Sequence, residues 1–400
     1  MGGTSLVNET EGGTKVKIKN AARIMPSGVK EFVGKKVYID TRSVSLNKIV
    51  DNKTLVEYCN RPSRANMEAR EGDVLFAKMQ NTPKVILINP ENEKFIYSTG
   101  FFVMRPKPDK ILSEYLYYWF NFEGTQALKD RLAHGGTQQA INAHSINNKF
   151  DIFLPDLNTQ KDLVVKLKQI EDIVDKLEMQ RGRVKLLLRN LRERLFENPP
   201  QYQPLQKLLK KLYRYPTFYG FEYVPTGIPV LKISNMDEEA KFGVDETKYD
   251  YISTEVNGRY PNTIVEKDDL IMEVRGTYIG KCALVPDSLV GANISPNTIR
   301  MSCDKEKILP GYLWHYTFTE GWRNQIAWRT NYWKGGFGTI KSSQLRTVEI
   351  PVFELNSQLI ILDKLNRVEA IHDRFLKDVQ NSRNLYQWAL KRIFIDQATQ

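Results

Sequence analysis

The stretch from Asn158 to Phe196, NTQKDLVVKLKQIEDIVDKLEMQRGRVKLLLRNLRERLF, sets Leu163, Leu167, Ile170, Val174, Leu177, Arg181, Val184, Leu188, Leu191 and Leu195 at alternating steps of four and three. This is a heptad seam, and a helix lying on a globular core seldom keeps a period of ~3.5 residues for so long. Such a seam asks for a second helix along its length. The C-terminal stretch supplies one. Ile361, Leu365, Val368, His372, Phe375, Val379, Ser382, Tyr386, Ala389 and Ile393 repeat the same steps, each 198 positions after its counterpart.

The blocks that precede the two helices repeat as well. Asp73-Val74-Leu75-Phe76 is answered by Asp269-Leu270-Ile271-Met272, and Ile111-Leu112 with Tyr115-Leu116 by Ile308-Leu309 with Tyr312-Leu313. Gly135-Gly136 corresponds to Gly335-Gly336, Leu154-Pro155 to Ile350-Pro351, and Leu157-Asn158-Thr159-Gln160 to Leu355-Asn356-Ser357-Gln358. Matches in this order, ending in matched heptads, define an internal duplication. Asn158 or Thr159, with Asn356 or Ser357 in the repeat, is expected to cap each long helix.

The chain is therefore expected to hold a globular block over 1–156, a long helix over 157–197, a second block over 198–354 and a second long helix over 355–400. In the first block the β-type runs are 36–40, 73–76, 84–88, 97–104 and 150–154, with an aromatic helix over 111–120. The fold class is α/β (α+β), with two heads separated by a strut of two helices. An antiparallel coiled coil satisfies the internal pseudo-two-fold repeat most simply, since a parallel pair would make one block reach back along a helix of about 57 Å. Arg181, His372 and Ser382 are polar seam positions expected to set register, with contact to a partner subunit as the alternative.

Of 400 residues, 41% are hydrophobic and 26% charged, enough apolar matter for real cores. The net charge of +11 favours an anionic partner, nucleic acid first. Cys59, Cys282 and Cys303 form neither a disulfide framework nor a metal knuckle, and the four histidines are scattered. A reducing cytoplasm and no metal site are expected. No apolar run reaches membrane-spanning length, so no membrane partner is expected.

Candidate catalytic motifs fail on chemistry. Asn198-Pro199-Pro200 imitates the loop with which amino-methyltransferases hold adenine, but Gln201 stands where a stacking aromatic belongs. Pro-Pro past a helix end is ordinary termination. Gly276 to Cys282 imitates a phosphate loop, yet three residues separate its glycines and Cys282 replaces the magnesium-binding hydroxyl.

What remains are polar and basic residues among aromatics at matching places of both blocks. In the first they are Lys78, Gln80, Asn81, Ser98, Thr137 and Gln138. In the second they are Arg275, Thr277, Tyr278, Lys281, Asn293, Asn297, Arg329, Tyr332 and Lys334. Arg and Lys suit guanine edges and phosphates, whereas Asn and Gln suit adenine. These residues form the expected contact set for double-stranded DNA.

The chain resembles the specificity subunits of Type I restriction–modification systems over nearly its whole length. Pro62-Ser63-Arg64-Ala65, Glu71 to Phe76 and Leu154 to Gln160 carry the match in the first half. Gly227 to Asn235, Arg275-Gly276-Thr277 and Ile350-Pro351 carry it in the second. Asp268 departs from the family's Gly-Asp turn, and one Pro stands before each long helix where two are usual. The resemblance implies two target-recognition domains reading an asymmetric, bipartite site, and paired helices that dock two methyltransferase subunits. It also implies restriction subunits in the full complex, no catalytic residue here, and S-adenosylmethionine, ATP and Mg on the partners. A self-sufficient adenine methyltransferase and a coiled-coil scaffold without a DNA role are the rival readings.

Overall fold

The computed structural model describes residues 13–45, 47–50, 54–136, 138–215, 222–243, 245–333 and 335–395. It divides into two compact units, Met1–Glu178 with Lys377–Gln400, and Met179–Leu376. Each unit holds one head, part of the first long helix (Leu157–Leu195) and part of the second (Leu355–Phe394). The heptad seam explains this partition. A half-helix with one apolar stripe is stable only beside another stripe, so each head is completed by halves that are distant in sequence.

In the first unit a four-stranded sheet runs in the order Ala22–Ile24, Phe101–Pro106, Val74–Ala77, Val85–Leu87. Val74, Leu75, Phe76 and Ala77 are all buried, as a strand covered on both faces requires. A second sheet has the order Thr54–Glu57, Lys35–Ile39, Ile96–Ser98, Ala65–Met67. The run expected as one strand over 97–104 is thus two strands in two sheets, Ile96–Ser98 and Phe101–Pro106. Gly100 makes the break, its N–H donating to Ser98 Oγ at 3.1 Å. The core of Phe76, Tyr115, Trp119 and Phe150 is closed by Leu163 and Leu167 from one long helix and Leu390 and Phe394 from the other. Early residues of the first helix meet late residues of the second, so the pair is antiparallel here, and Glu178 pairs with Arg383.

The second unit repeats the plan: Leu209–Arg214, Thr298–Cys303, Leu270–Glu273, Cys282–Leu284 form its main sheet. Leu188 packs in one cluster with Ile361 and Leu365, with Leu191, Leu195 and Val368 against it, again antiparallel. The remaining seam residues Ile170, Val174, Leu177, Val184 and Phe375 are half-buried and Val379 is buried.

The turn before the central strand explains the Asp268 departure. Gly72 has φ +82° and Asp268 φ +67°, so both take the left-handed conformation, which Asp tolerates better than most residues. The first long helix is capped two to three residues earlier than expected. Asp156, not Asn158 or Thr159, accepts from the N–H groups of both, at 2.9 and 3.1 Å.

Two polar devices join each head to its long helix. Gln160 accepts from Leu112 N–H at 2.9 Å and donates to the carbonyls of Lys110 and Pro155, both at 2.9 Å. Gln358 makes the same three bonds with Leu309, Lys307 and Phe353 at 2.9, 2.9 and 2.8 Å. The second device is an acid on the long helix. Glu171 accepts from the hydroxyls of Tyr117 and Tyr118 at 3.0 and 2.9 Å. Glu369, its repeat counterpart, lies 3.5 Å from His315 Nε2 and 3.1 Å from Lys241 Nζ. Arg192 Nε donates to His315 Nδ1 at 3.2 Å, which leaves the imidazole proton on Nε2, facing Asn366 Oδ1 at 3.2 Å. Seam residue His372 is buried 3.9 Å from Glu239, whose carboxylate also takes Lys185 Nζ at 2.8 Å.

Replacing Gln358 by Leu leaves a buried N–H and two carbonyls without partners. Unpaired buried groups cost about 1–3 kcal/mol each, so a loss of about 3 kcal/mol is expected in denaturant unfolding, with a similar loss for Gln160→Leu. A loss below about 0.5 kcal/mol in both, the level of an ordinary surface change, contradicts the clamp.

His315 gives a pH-dependent stability. Burial, reinforced by Arg192, pushes its pKa down to about 3. The unfolded chain takes up this proton near the ordinary value of about 6.5. The stability from neutral His315 is thus complete above that pH and is lost as pH falls toward 3. Glu369 is held above the ordinary carboxyl range by burial and offsets part of the loss by taking a proton in the folded state. At about 1.4 kcal/mol per pH unit, wild type should lose about 2 kcal/mol more than His315→Gln between pH 7 and 5, measured by urea unfolding.

Candidate nucleic-acid interface

In the first head the loop after Val74–Ala77 is held from below. Lys129 is fully buried and its Nζ donates to the carbonyls of Met79 and Thr82 at 2.9 and 3.0 Å. Its pKa is lowered by burial, opposed by Asp130. The Asp130 carboxylate accepts from Asn81 N–H at 2.9 Å, and Asn81 has φ +54°. Gln80 is tied at both ends, its backbone N–H to Gln139 O at 3.0 Å and its amide to Asp130 O at 3.2 Å. Met79 and His134 each bridge to Ala140. The fold therefore brings Lys78, Gln80, Asn81 and the segment of Gln138 to one edge, although they are some sixty positions apart in sequence. Lys78 is half-buried with its ammonium 4.3 Å from the Phe102 ring, and Asn81 and Gln138 are exposed.

In the second head a three-stranded sheet performs the same task. Gly338–Thr339 pairs on one side with Arg275–Gly276 and on the other with Asn331–Tyr332. The Asn297 carbonyl accepts from Val274 and Arg275 N–H at 2.9 and 3.3 Å, placing exposed Asn297 beside Arg275. Glu273 is buried and accepts from Tyr278 N–H at 2.6 Å, closing the turn that presents Arg275, Thr277 and Tyr278. Burial holds its carboxyl above the ordinary range. A Cβ at Gly276, φ +152°, would stand 2.1 Å from Glu273 Oε1, so a side chain there would strain the backbone and push the carboxylate off its place. A cleft of about 1080 Å³ opens beside this turn, lined among others by Glu273, Tyr278, Lys281, Phe318, Arg323 and Tyr332.

Several sequence-derived candidates serve the fold instead. Asn293 is fully buried, donating to Asn257 Oδ1 at 2.7 Å and accepting from Ile294 N–H at 2.9 Å. Ser98 is buried behind Gly100. Both are corrected to structural residues, because a groove contact needs a polar atom that reaches the surface. Arg329 binds the carbonyls of Gln325 and Thr347 at 3.2 and 2.9 Å, and Lys281 those of Asp237 and Met236 at 2.7 and 3.3 Å. Thr277, Tyr278 and Tyr332 are exposed. Thr137 and Lys334 lie outside the described residues. Lys129, Asp130 and Glu273, which shape the loops, escaped the sequence reading. A lysine in an amphipathic helix or a glutamate at a strand end carries no local mark of burial.

With this geometry in place, the chain is seen to be similar to known proteins over part or nearly all of its length. Residues 16–183 match the family model of the Type I restriction modification DNA specificity domain. No curated protein matches the chain. One solved chain, from a study titled as the structural basis of complex assembly and conformational transition of the type I R-M system, is 19% identical with a TM-score of 0.59, covering 97% of this chain and 98% of that one. The Type-I restriction-modification system S subunit from M. genitalium is 13% identical with a TM-score of 0.53, covering 98% of each chain. The fold, head and long helix twice over, is thus shared with these solved chains over nearly its whole length. The resemblance to the specificity subunits of Type I restriction–modification systems, read first from the sequence, is borne out.

Lys129→Met keeps the side-chain volume but removes the donor from two carbonyls. About 2 kcal/mol of stability should be lost, and amide exchange should quicken over residues 78–82 more than in the second head. Uniform exchange across both heads excludes Lys129 as the support of this loop.

Proposed function

We propose that this chain is the sequence-specific DNA-recognition subunit of a Type I restriction–modification complex. The carrying observation is that the two heads share a framework bond for bond, at Gln160 and Gln358 and at Tyr115 and Tyr312, whose hydroxyls donate to Phe153 O and Pro351 O. The loops on that framework differ, polar over 134–140 and aromatic over 328–337. A constant scaffold with divergent exposed loops suits two half-sites of unlike sequence, and the net charge of +11 suits the phosphates.

In this reading the chain is non-catalytic. Methyltransferase subunits, two in number, and restriction subunits dock on it and carry S-adenosylmethionine, ATP and Mg. Exposed apolar residues on the long helices, among them Ile173, Leu186, Leu187, Ile371 and Leu385, support a docking role. Among the described residues no helix is long and apolar enough to cross a membrane.

Selection of duplexes from a random pool by the full chain tests the reading and should return two unlike half-sites around a spacer. In the same assay Arg275→Ala should weaken binding by about 1–3 kcal/mol and relax one half-site only. Equal weakening for all sequences makes Arg275 a phosphate contact. Recovery of no preferred duplex refutes the recognition role.

A further inference from the structure

Exposed aromatic rings gather on one edge of the second head. Trp328 is 81% exposed, Tyr278 66%, Tyr332 54%, Trp333 50% and Phe337 41%. Trp333 and Phe337 stack on each other across a hairpin turn, ring centroids 5.8 Å apart and planes 27° apart. Trp333 N–H donates to Phe337 O at 2.8 Å, and Gly335 and Gly336 take φ +93° and +78° to close the turn. The turn joins Asn331–Tyr332 to Gly338–Thr339, the strand that pairs with Arg275–Gly276, so the rings stand on the sheet that carries the candidate base-reading loop. The corresponding first-head segment, His134 to Ala140, has no Trp, Tyr or Phe.

Ring faces left in water are unfavourable unless a partner covers them. A wide apolar face would suit a protein partner. The stacked Trp333–Phe337 pair is instead confined to one hairpin turn, and a two-stranded ribbon fits a DNA groove. Apolar side chains placed between base steps unstack them and kink the duplex by about 20–90°.

We infer that the Trp333–Phe337 turn is a wedge that unstacks one base step of the second head's half-site, while the first head reads its half-site without opening a step. The wedge rests on the DNA-recognition reading and adds deformation to it. Part of the second head's specificity then comes from how readily a step opens, at positions no polar side chain touches.

The test uses the full chain and the duplex selected above, with 2-aminopurine placed in turn at each step of both half-sites. Several-fold fluorescence enhancement is expected on binding at one step of one half-site, and none in the other. The double variant Trp333→Ala/Phe337→Ala should abolish the enhancement, while Trp333→Phe, which keeps a ring, should retain most of it. A bound duplex that stays dark at every step overturns the wedge and leaves the recognition reading standing. So does a double variant that keeps the enhancement but no longer captures the methyltransferase subunit, since the rings would then dock protein. Failure to select any duplex overturns the recognition reading, and the wedge with it.

Discussion

One buried glutamine per repeat ties each head to its long helix. Gln160 and Gln358 are wholly inaccessible to solvent, and each amide satisfies one N–H and two carbonyls where the head's chain turns beneath the helix start. These backbone groups have no regular ladder to join. Leaving them unpaired in an apolar setting would cost more than the bonds themselves contribute. The amide makes the head and the first turn of the helix one structural piece.

The helix acids show how one framework position can be served by different chemistry. Glu171 accepts from two phenolic hydroxyls, whose own ionisation is pushed far up by burial and by the carboxylate. Glu369 sits among His315, Lys241 and Arg192, and burial lowers the Arg192 pKa to about 10. The same variation appears at Asp73 and Asp269. Arg105 meets Asp73 through two parallel bonds, whereas Asp269 takes Arg300 and Ser302. In each case the carboxylate keeps partners, and for buried Asp73, Asp269 and Glu369 an uncompensated charge would cost several kcal/mol. The identity of the partners was able to drift between the repeats.

The exposed edges drifted further. Lys129 and Asp130 hold the first head's loops through backbone carbonyls and amides, which sets loop shape without dictating loop side chains. Glu273 does the same for the turn of the second head. Loop support and loop chemistry are therefore separate in both heads, an arrangement that lets contact residues change while the scaffold stays folded.

The sequence by itself determined the duplication, the seam and the class. Heptad spacing is a local, periodic signal, and every seam position from Leu163 to Ile393 is buried or half-buried. The apolar runs at Val74–Ala77 and Leu270–Glu273 announced central strands in the same way. Only the tertiary structure decided which polar residues face out. Asn293 and Ser98 read like contact residues and are buried, and Lys129 and Glu273 carry no local mark of burial and are buried. Periodicity reports the face of an element, but burial at strand ends and loops depends on what distant segment packs over them. That neighbour is supplied by the fold and leaves no trace in the local sequence.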